Sequence, residues 1–146
     1  MSDKSQGLGL EILIVDDDLA VSSALELTLR ADSRAESANI HFFENYESCV
    51  SQESLEGDID KWELNEKYQK GLDIAFIDFS EDPVEAMKAI RLAGLLSQYT
   101  KVVMCFETVE GARERVDNIE WIKKENLSWI KKPHTYWAVG TALDQL

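Results

Sequence analysis

The stretch EILIVDDD, residues 11–18, decides how the rest of the chain is interpreted. Four apolar residues run directly into three aspartates, Asp16, Asp17 and Asp18. A short apolar run of this kind predicts a buried strand. Carboxylates crowded at the end of such a strand repel one another and lose hydration, which disfavours their charged forms. We therefore expect a metal ion or a cationic side chain beside them.

Composition limits the classes of function that remain. The 146 residues are the length of one domain, and the formal net charge of −13 argues against direct binding of nucleic acid, which needs a basic surface. No apolar run is long enough to span a membrane. Residues 1–9 are polar, lack a signal core and predict a disordered tail. Cys49 and Cys105 show no metal-ligand spacing, which indicates reduced thiols in or near the core of a cytoplasmic protein.

Five short apolar runs predict strands, and amphipathic segments between them predict helices. The strands are LGLEILIVD, ANIHFFEN, LDIAFIDF, KVVMCF and LSWIKK. The helices start after Asp18 as N-cap, at YESCVSQ, at Pro83, at Val109 and at TYWAVGTALDQL. Strands that are apolar on both faces belong to a parallel sheet covered on both sides. The expected fold is α/β: a doubly wound five-stranded parallel sheet with helices on both faces.

One segment breaks this alternation. Residues 53–70 are acidic, contain glycine and have only weak periodicity. We expect a solvated excursion that caps the second helix, with a short helix from about Asp60 to Tyr68, since most long loops lie on the surface. The alternative, in which Trp62 and Tyr68 form a partner surface, stays open.

Charged residues follow three of the predicted strands. Asp16 and Asp17 end the first strand, Asp78 ends the third, and Lys132 follows the fifth, just before Pro133. In a doubly wound sheet the carboxyl ends of the strands line one crevice. Carboxylate oxygens suit Mg²⁺, which binds through one or two carboxylates together with waters and phosphate oxygens. The lysine supplies a point charge for a phosphoryl group.

The motifs ILIVDDD, DIAFID and KKP, in that order and each at a strand end, resemble those of response-regulator receiver domains. The resemblance covers residues 10–146, with residues 53–70 as an insertion, and implies the strand order 2-1-3-4-5. It implies that Asp78 accepts a phosphoryl group. It also implies that Mg²⁺ is held by Asp16, Asp17, Asp78 and the backbone carbonyl of Ser80. Lys132 then contacts the phosphoryl group, and Pro133 resembles a proline that often follows a cis bond.

The function implied by this resemblance is signalling rather than enzymatic turnover. A histidine kinase or a phosphotransfer protein would phosphorylate Asp78 in a Mg²⁺-dependent reaction, and the phosphoryl group would switch a protein-interaction face. The domain would catalyse at most its own phosphorylation and dephosphorylation.

The sequence departs from the family pattern at the end of the fourth strand. Phe106 stands where the family has Thr or Ser, and Glu107 stands where it has a small residue. A register shift that brings Thr108 to the hydroxyl position stays open. Glu81 and Asp82 add further negative charge after the acceptor. These departures favour an alternative function: a pseudo-receiver that docks to partners independently of phosphorylation.

A third interpretation is a small phosphatase or phosphotransferase with Asp16 and Asp18 as nucleophile and acid. That family requires a threonine where this chain has Ala20.

Three tryptophans suggest a partner face. On the helix predicted from Val109, Trp121 points away from the apolar stripe, and Trp137 likewise lies off the stripe of the last helix. Trp129 lies on the fifth strand between them, where the family carries a mobile aromatic. Tryptophan is enriched where proteins bind each other. We expect this face to mediate homodimerisation or docking to a partner, with Trp121 and Trp137 as anchors.

Overall fold

The computed structural model describes residues 9–107 and 120–146. The strands are β1 (Glu11–Val15), β2 (Asn39–Phe43), β3 (Ile74–Asp78), β4 (Lys101–Phe106) and β5 (Leu127–Lys131). They form one parallel sheet in the order β2-β1-β3-β4-β5. Both the five-stranded sheet and its order are confirmed. Residues 1–8 of the predicted tail and most of the helix predicted from Val109 lie outside the described residues.

The helices of the described residues cover both faces of this sheet, as expected. They are α1 (Leu19–Arg30), α2 (Pro83–Ser97) and α3 (Tyr136–Leu143). The apolar residues of α2 pack on one face, in a core cluster that includes Leu92, Leu96 and Met104. Those of α1 and α3 pack on the other face. Within the part of the chain that the structure describes, no helix is long and apolar enough to cross a membrane.

Local sequence sets the starts of these helices. The Asp18 carboxylate accepts hydrogen bonds from the backbone N–H groups of Ala20 and Val21, which makes it the N-cap of α1. Asp82 caps α2 in the same way, and Pro83 occupies the first turn, where its missing N–H costs nothing. The expectations for Asp18 and Pro83 are confirmed. Asp18 is thereby engaged in capping, which argues against its use as the acid of a phosphatase.

The connection from β2 to β3 differs from the expectation. The helix expected at YESCVSQ is a single 3₁₀ turn, Tyr46–Cys49, and three further 3₁₀ turns follow, at Gln52–Glu56, Ile59–Lys61 and Glu66–Tyr68. Serine side chains bond nearby backbone instead: the Ser54 hydroxyl donates to the Ser51 carbonyl and accepts from the Glu63 N–H. Such local bonds compete with the helical ladder.

This connection is anchored in the core by two aromatic side chains, although most of its other residues are exposed. Trp62 is 4% exposed and Tyr68 is 2% exposed, and both lie in the cluster on the α2 face of the sheet. Val50 pairs with Leu64 in an isolated antiparallel bridge that draws the segment together. The two aromatics therefore replace the apolar face of the missing helix, and neither is available as a partner surface.

Candidate functional site

Parallel pairing brings the charged residues to one edge of the sheet. Val15 pairs with Ile77, and Asp78 pairs with Cys105, so the carboxyl ends of β1, β3 and β4 lie at one level. Backbone bonds extend this alignment past the strands: the Asp16 N–H donates to the Phe43 carbonyl at 3.0 Å. The residues after β1, at the end of β3 and after β5 consequently face the same crevice.

Lys132 joins the buried carboxylate of Asp16 to the partly buried carboxylate of Asp78. Its Nζ lies 3.0 Å from Oδ2 of Asp16 and also donates a hydrogen bond to Oδ1 of Asp78. The side chains are 9% exposed for Lys132, 5% for Asp16 and 15% for Asp78. The Lys132 N–H donates to the Phe106 carbonyl at 2.7 Å, which fixes the lysine backbone at the end of β4. The Lys132–Pro133 peptide bond is cis, as the resemblance implied.

Burial and charge act in opposite directions on this ion pair. Burial raises the pKa of Asp78, and the charges of Asp16 and Asp17 raise it further. The hydrogen bond and charge of Lys132 lower this pKa, but the net shift is upward. For Lys132, burial lowers the pKa, but the hydrogen bonds and charges of Asp78 and Asp16 outweigh it and leave the pKa above its usual value. The lysine is therefore charged and partly neutralises the carboxylates.

Three carboxylates are placed to share a cation. Asp16, Asp17 and Asp78 each offer one oxygen, and these oxygens lie within 4.8 Å of one another. Hard oxygen donors at this separation fit Mg²⁺, which needs only one or two carboxylates and keeps waters in its remaining positions. Ser80 lines the same cavity, beside Asp17 and Asp78. The donor set is thus compatible with the metal implied by the sequence.

Tyr46 contributes a contact to this site that sequence reasoning missed. Its hydroxyl donates to the backbone carbonyl of Asp78 at 2.6 Å, and Tyr46 lines the cavity together with Asp17 and Glu85. Burial, and then the charge of Asp78, raise the pKa of Tyr46 above its usual value, so the hydroxyl remains a donor. Tyr46 and Asp78 are far apart in the chain, so the sequence gives no direct sign of this contact. The position of Tyr46 shortly after the second strand was the one feature that could have indicated a place near the site.

The crevice is strongly acidic. Glu81, Asp82 and Glu107 line it together with the aspartates and Lys132, so the extra negative charge expected after β3 and β4 does lie at the site. The side chain of Phe106 has no polar group to offer a ligand in the crevice. Its ring, 8% exposed, packs edge-on against Trp129 with the ring centroids 5.9 Å apart. Thr108, the alternative hydroxyl, lies outside the described residues.

Trp129 is held between two phenylalanines. Phe79, the residue after Asp78, contacts it edge-on at 6.0 Å, and Phe106 contacts it in the same geometry from β4. Edge-to-face pairs of this kind stabilise by roughly 0.5–1.5 kcal/mol beyond their buried area. One aromatic group thereby joins the residue after β3, the last residue of β4 and the middle of β5.

The other two tryptophans, Trp121 and Trp137, lie beside helices on opposite faces of the sheet. Trp121 is in a turn, 44% exposed, with its ring against Gly94 of α2 and the Arg91 guanidinium 4.9 Å from the ring centroid. Trp137, 81% exposed, lies on α3, which packs on the opposite face of the sheet. Trp121 is exposed, as expected, although part of its ring is covered by α2. Homodimerisation through these tryptophans stays a prediction.

The fold is shared with receiver domains of known structure. A signal receiver domain of an HD domain-containing protein from Pseudomonas fluorescens Pf-5 has a TM-score of 0.60 at 15% identity, over 94% of this chain and 93% of that one. A CheY-like response regulator receiver domain from Methanospirillum hungatei JF-1 gives 0.59 at 15%, over 94% and 92%. The chemotaxis protein CheY4 of Vibrio cholerae gives 0.60 at 10%, over 94% and 98%. No family model and no curated protein matches the sequence.

Proposed function

We propose that this chain is a cytoplasmic phosphoacceptor receiver domain in which Asp78 takes a phosphoryl group from a histidine kinase or a phosphotransfer protein. The observation that carries the proposal is the buried contact of Lys132 with both Asp16 and Asp78, with Asp17 within reach of the same point. Structural neighbours that are signal receiver domains support the same general role.

Each residue of the site has a distinct task in this proposal. A carboxylate oxygen of Asp78 forms a bond to the phosphorus while the P–N bond of the donor's phosphohistidine breaks and leaves its electron pair on the imidazole nitrogen. The Lys132 ammonium stabilises the negative charge of the phosphoryl oxygens. Asp16, Asp17, Asp78 and the Ser80 carbonyl hold Mg²⁺, which when bound supplies positive charge to the transferring group. Tyr46 holds the backbone of the acceptor in place through the Asp78 carbonyl.

The test is phosphorylation by a small phosphodonor. Wild-type protein incubated with Mg²⁺ and phosphoramidate should gain the mass of one phosphoryl group, and Asp78→Asn should not. Asp17→Asn should slow the reaction at low Mg²⁺ concentration, whereas Asp58→Asn, an exposed aspartate in the β2–β3 connection, should behave as wild type. Equal modification of wild type and Asp78→Asn would exclude Asp78 as the acceptor.

A pseudo-receiver is the second candidate, and the packing at the end of β4 favours it. Phe106 offers no hydroxyl to a phosphoryl group, and its ring fixes Trp129 on the core side. A ligand shifts a conformational equilibrium only through contacts that differ between the two states. If partners recovered by the wild-type domain bind Asp78→Asn and phosphorylated wild type with equal affinity, output is independent of phosphorylation and this second function applies.

A further inference from the structure

The strand β2 forms one edge of the sheet. Within residues 9–107 and 120–146 it pairs with β1 alone. The Asn39 N–H donates to the Leu10 carbonyl at 2.8 Å, so by alternation the backbone groups of residues 39, 41 and 43 bond β1. The N–H and C=O groups of Ile40 and Phe42 therefore point away from the sheet. A row of outward backbone groups of this kind is a template for a further strand.

The side chains of β2 leave this edge accessible. Its sequence, NIHFF, contains neither proline nor lysine, the residues with which proteins commonly block an edge strand. Phe42 is 42% exposed, and Ile40 packs at the rim of the core cluster beneath α1 and α3. Alternation places both on that face of the sheet. His41 lies on the other face, where its ring contacts Glu11 and Tyr68 of its own chain.

The edge is complementary to a second copy of itself. When two β2 strands pair antiparallel about a twofold axis at His41, residues equally far before and after His41 face each other. Ile40 of each copy then faces Phe42 of the other, and each of these two pairs exchanges two N–H···O=C bonds. Pairs of an aromatic with a β-branched side chain also stabilise neighbouring strands. The outward groups of both residues are thereby satisfied.

The same register brings opposite charges together at both ends of the strand pair. Glu44, which is exposed, lies as far after His41 as Ala38 lies before it. The Ala38 carbonyl accepts a hydrogen bond from Arg30 at 3.0 Å. Glu44 of one copy therefore comes beside Arg30 of the other, and the axis repeats this pair. Arg30 also contacts Glu26, but 37% of its side chain remains exposed.

We infer from this self-complementarity that β2 is the interface of a homodimer, in which two copies pair through antiparallel β2 strands and form one continuous ten-stranded sheet. Backbone hydrogen bonds attach the copies, Ile40 and Phe42 add apolar contact, and Arg30 with Glu44 fixes the register. The inference goes beyond the proposed function and does not depend on it. The interface also differs from the tryptophan face expected from the sequence.

The first measurement is sedimentation equilibrium over a concentration series. Wild-type protein should become dimeric as its concentration rises to about 1 mM, the range of a weak interface with a small area. The net charge of −13 on each copy opposes association, so the buffer contains about 0.15 M salt, which screens charges more than about 8 Å apart. A monomer throughout this series would overturn the inference.

A proline variant blocks the edge selectively. Phe42→Pro removes an outward N–H and leaves the hydrogen bonds to β1 in place, as is usual for prolines of edge strands. The affinity of the dimer should fall by at least about tenfold, because two of its four backbone bonds lose their donor. Trp137→Ala, which removes another exposed aromatic, should dimerise as wild type. A dimer weakened by Trp137→Ala but not by Phe42→Pro would place the interface elsewhere and overturn the inference.

Two charge reversals test the register. Arg30→Glu and Glu44→Arg each place like charges beside each other at both ends of the strand pair, so each variant alone should dimerise at least about tenfold more weakly. An equimolar mixture of the two variants should form a heterodimer, because each end then joins one acidic and one basic side chain. Thermal unfolding checks that both variants are folded. If they are folded and the mixture does not associate more than either variant alone, the antiparallel register is wrong.

Amide hydrogen exchange locates the contact. The Ile40 and Phe42 amides should exchange rapidly in dilute protein and slow down as the dimer forms. The Asn39 amide, bonded to Leu10, should be protected at both concentrations. The same measurement is made on a variant without residues 1–8, which precede the neighbouring strand β1. Slow exchange at Ile40 and Phe42 in dilute wild type that is lost in this variant would mean that the N-terminal segment occupies the edge, and would overturn the inference.

Discussion

Removing Lys132 should destabilise the folded protein strongly. In Lys132→Ala, Asp16 and Asp78 lose their shared cation while they remain 5% and 15% exposed. Breaking a buried ion pair from one side costs roughly 3–5 kcal/mol, because an uncompensated charge stays buried. For a chain of this size each kcal/mol lowers Tm by about 2–4 °C. We therefore expect Tm to fall by about 6–20 °C.

The neighbouring residue provides a matched control. Lys131 is exposed, so Lys131→Ala removes the same side chain and the same charge without uncovering a carboxylate. Exposed substitutions of this kind usually change the free energy of unfolding by less than about 0.5 kcal/mol. Both variants are compared with wild type by urea unfolding and by thermal unfolding, in buffer without divalent ions.

Two further measurements test whether the lower stability of Lys132→Ala arises at the site. Lys132→Ala/Asp78→Asn should be more stable than Lys132→Ala alone, because one of the two uncompensated charges is gone. Mg²⁺ should raise Tm more in Lys132→Ala than in wild type, since the ion then replaces a missing positive charge and binding to the folded state stabilises it. If Lys132→Ala unfolds like Lys131→Ala, the buried ion pair does not hold the carboxylates together, and the reasoning is refuted.

Three other predictions concern the connection, the end of β4 and acid stability. Trp62→Ala should cost about 3–5 kcal/mol of unfolding free energy, as for a core aromatic, while Trp137→Ala should change little; urea unfolding distinguishes them. Phe106→Thr/Glu107→Ala should enlarge the amide resonance shifts that a phosphoryl mimic causes at residues 103–107, and identical shifts in wild type would contradict this. Hydrogen bonds from a neighbouring arginine lower the pKa of Asp32 below 3.8. Its stabilisation is therefore present above that pH and is lost as the pH falls through the lowered pKa, so acid-unfolding curves of wild type and Asp32→Asn should converge there.

The features predicted well from the sequence are those set by local pattern. Apolar runs located all five strands, and Asp18 as N-cap and Pro83 in the first turn marked the starts of α1 and α2. The grouping of Asp16, Asp78 and Lys132 followed from parallel strands alone, because their carboxyl ends meet at one edge. The order of the strands came from the resemblance, since no local signal fixes which strands are neighbours.

The burial of the two aromatics in the β2–β3 connection was missed because it depends on distant contacts. The segment around Trp62 is acidic and aperiodic, which is typical of exposed loops. Its anchors come from elsewhere in the chain: the Arg91 guanidinium on α2 donates to the carbonyls of Asp60 and Trp62. The hydrophobic pattern of a sequence does not show contacts between residues that are far apart in the chain. A buried aromatic with polar sequence neighbours therefore cannot be distinguished from an exposed one by pattern alone.

The same connection also positions Asp78, the proposed acceptor. Arg91 on α2 bonds the middle of the connection, and Tyr46, at its start, donates a hydrogen bond to the Asp78 carbonyl. The β2–β3 connection therefore contacts both sides of the loop between Asp78 and α2: Tyr46 bonds the Asp78 carbonyl, and the carbonyl of Trp62 accepts from Arg91 on α2. Since the aromatic group of Phe79, Trp129 and Phe106 fixes the core side of that loop, the carboxylate of Asp78 has little freedom to leave Lys132. A site held this firmly presents Asp78, the proposed acceptor, in one fixed position beside Lys132.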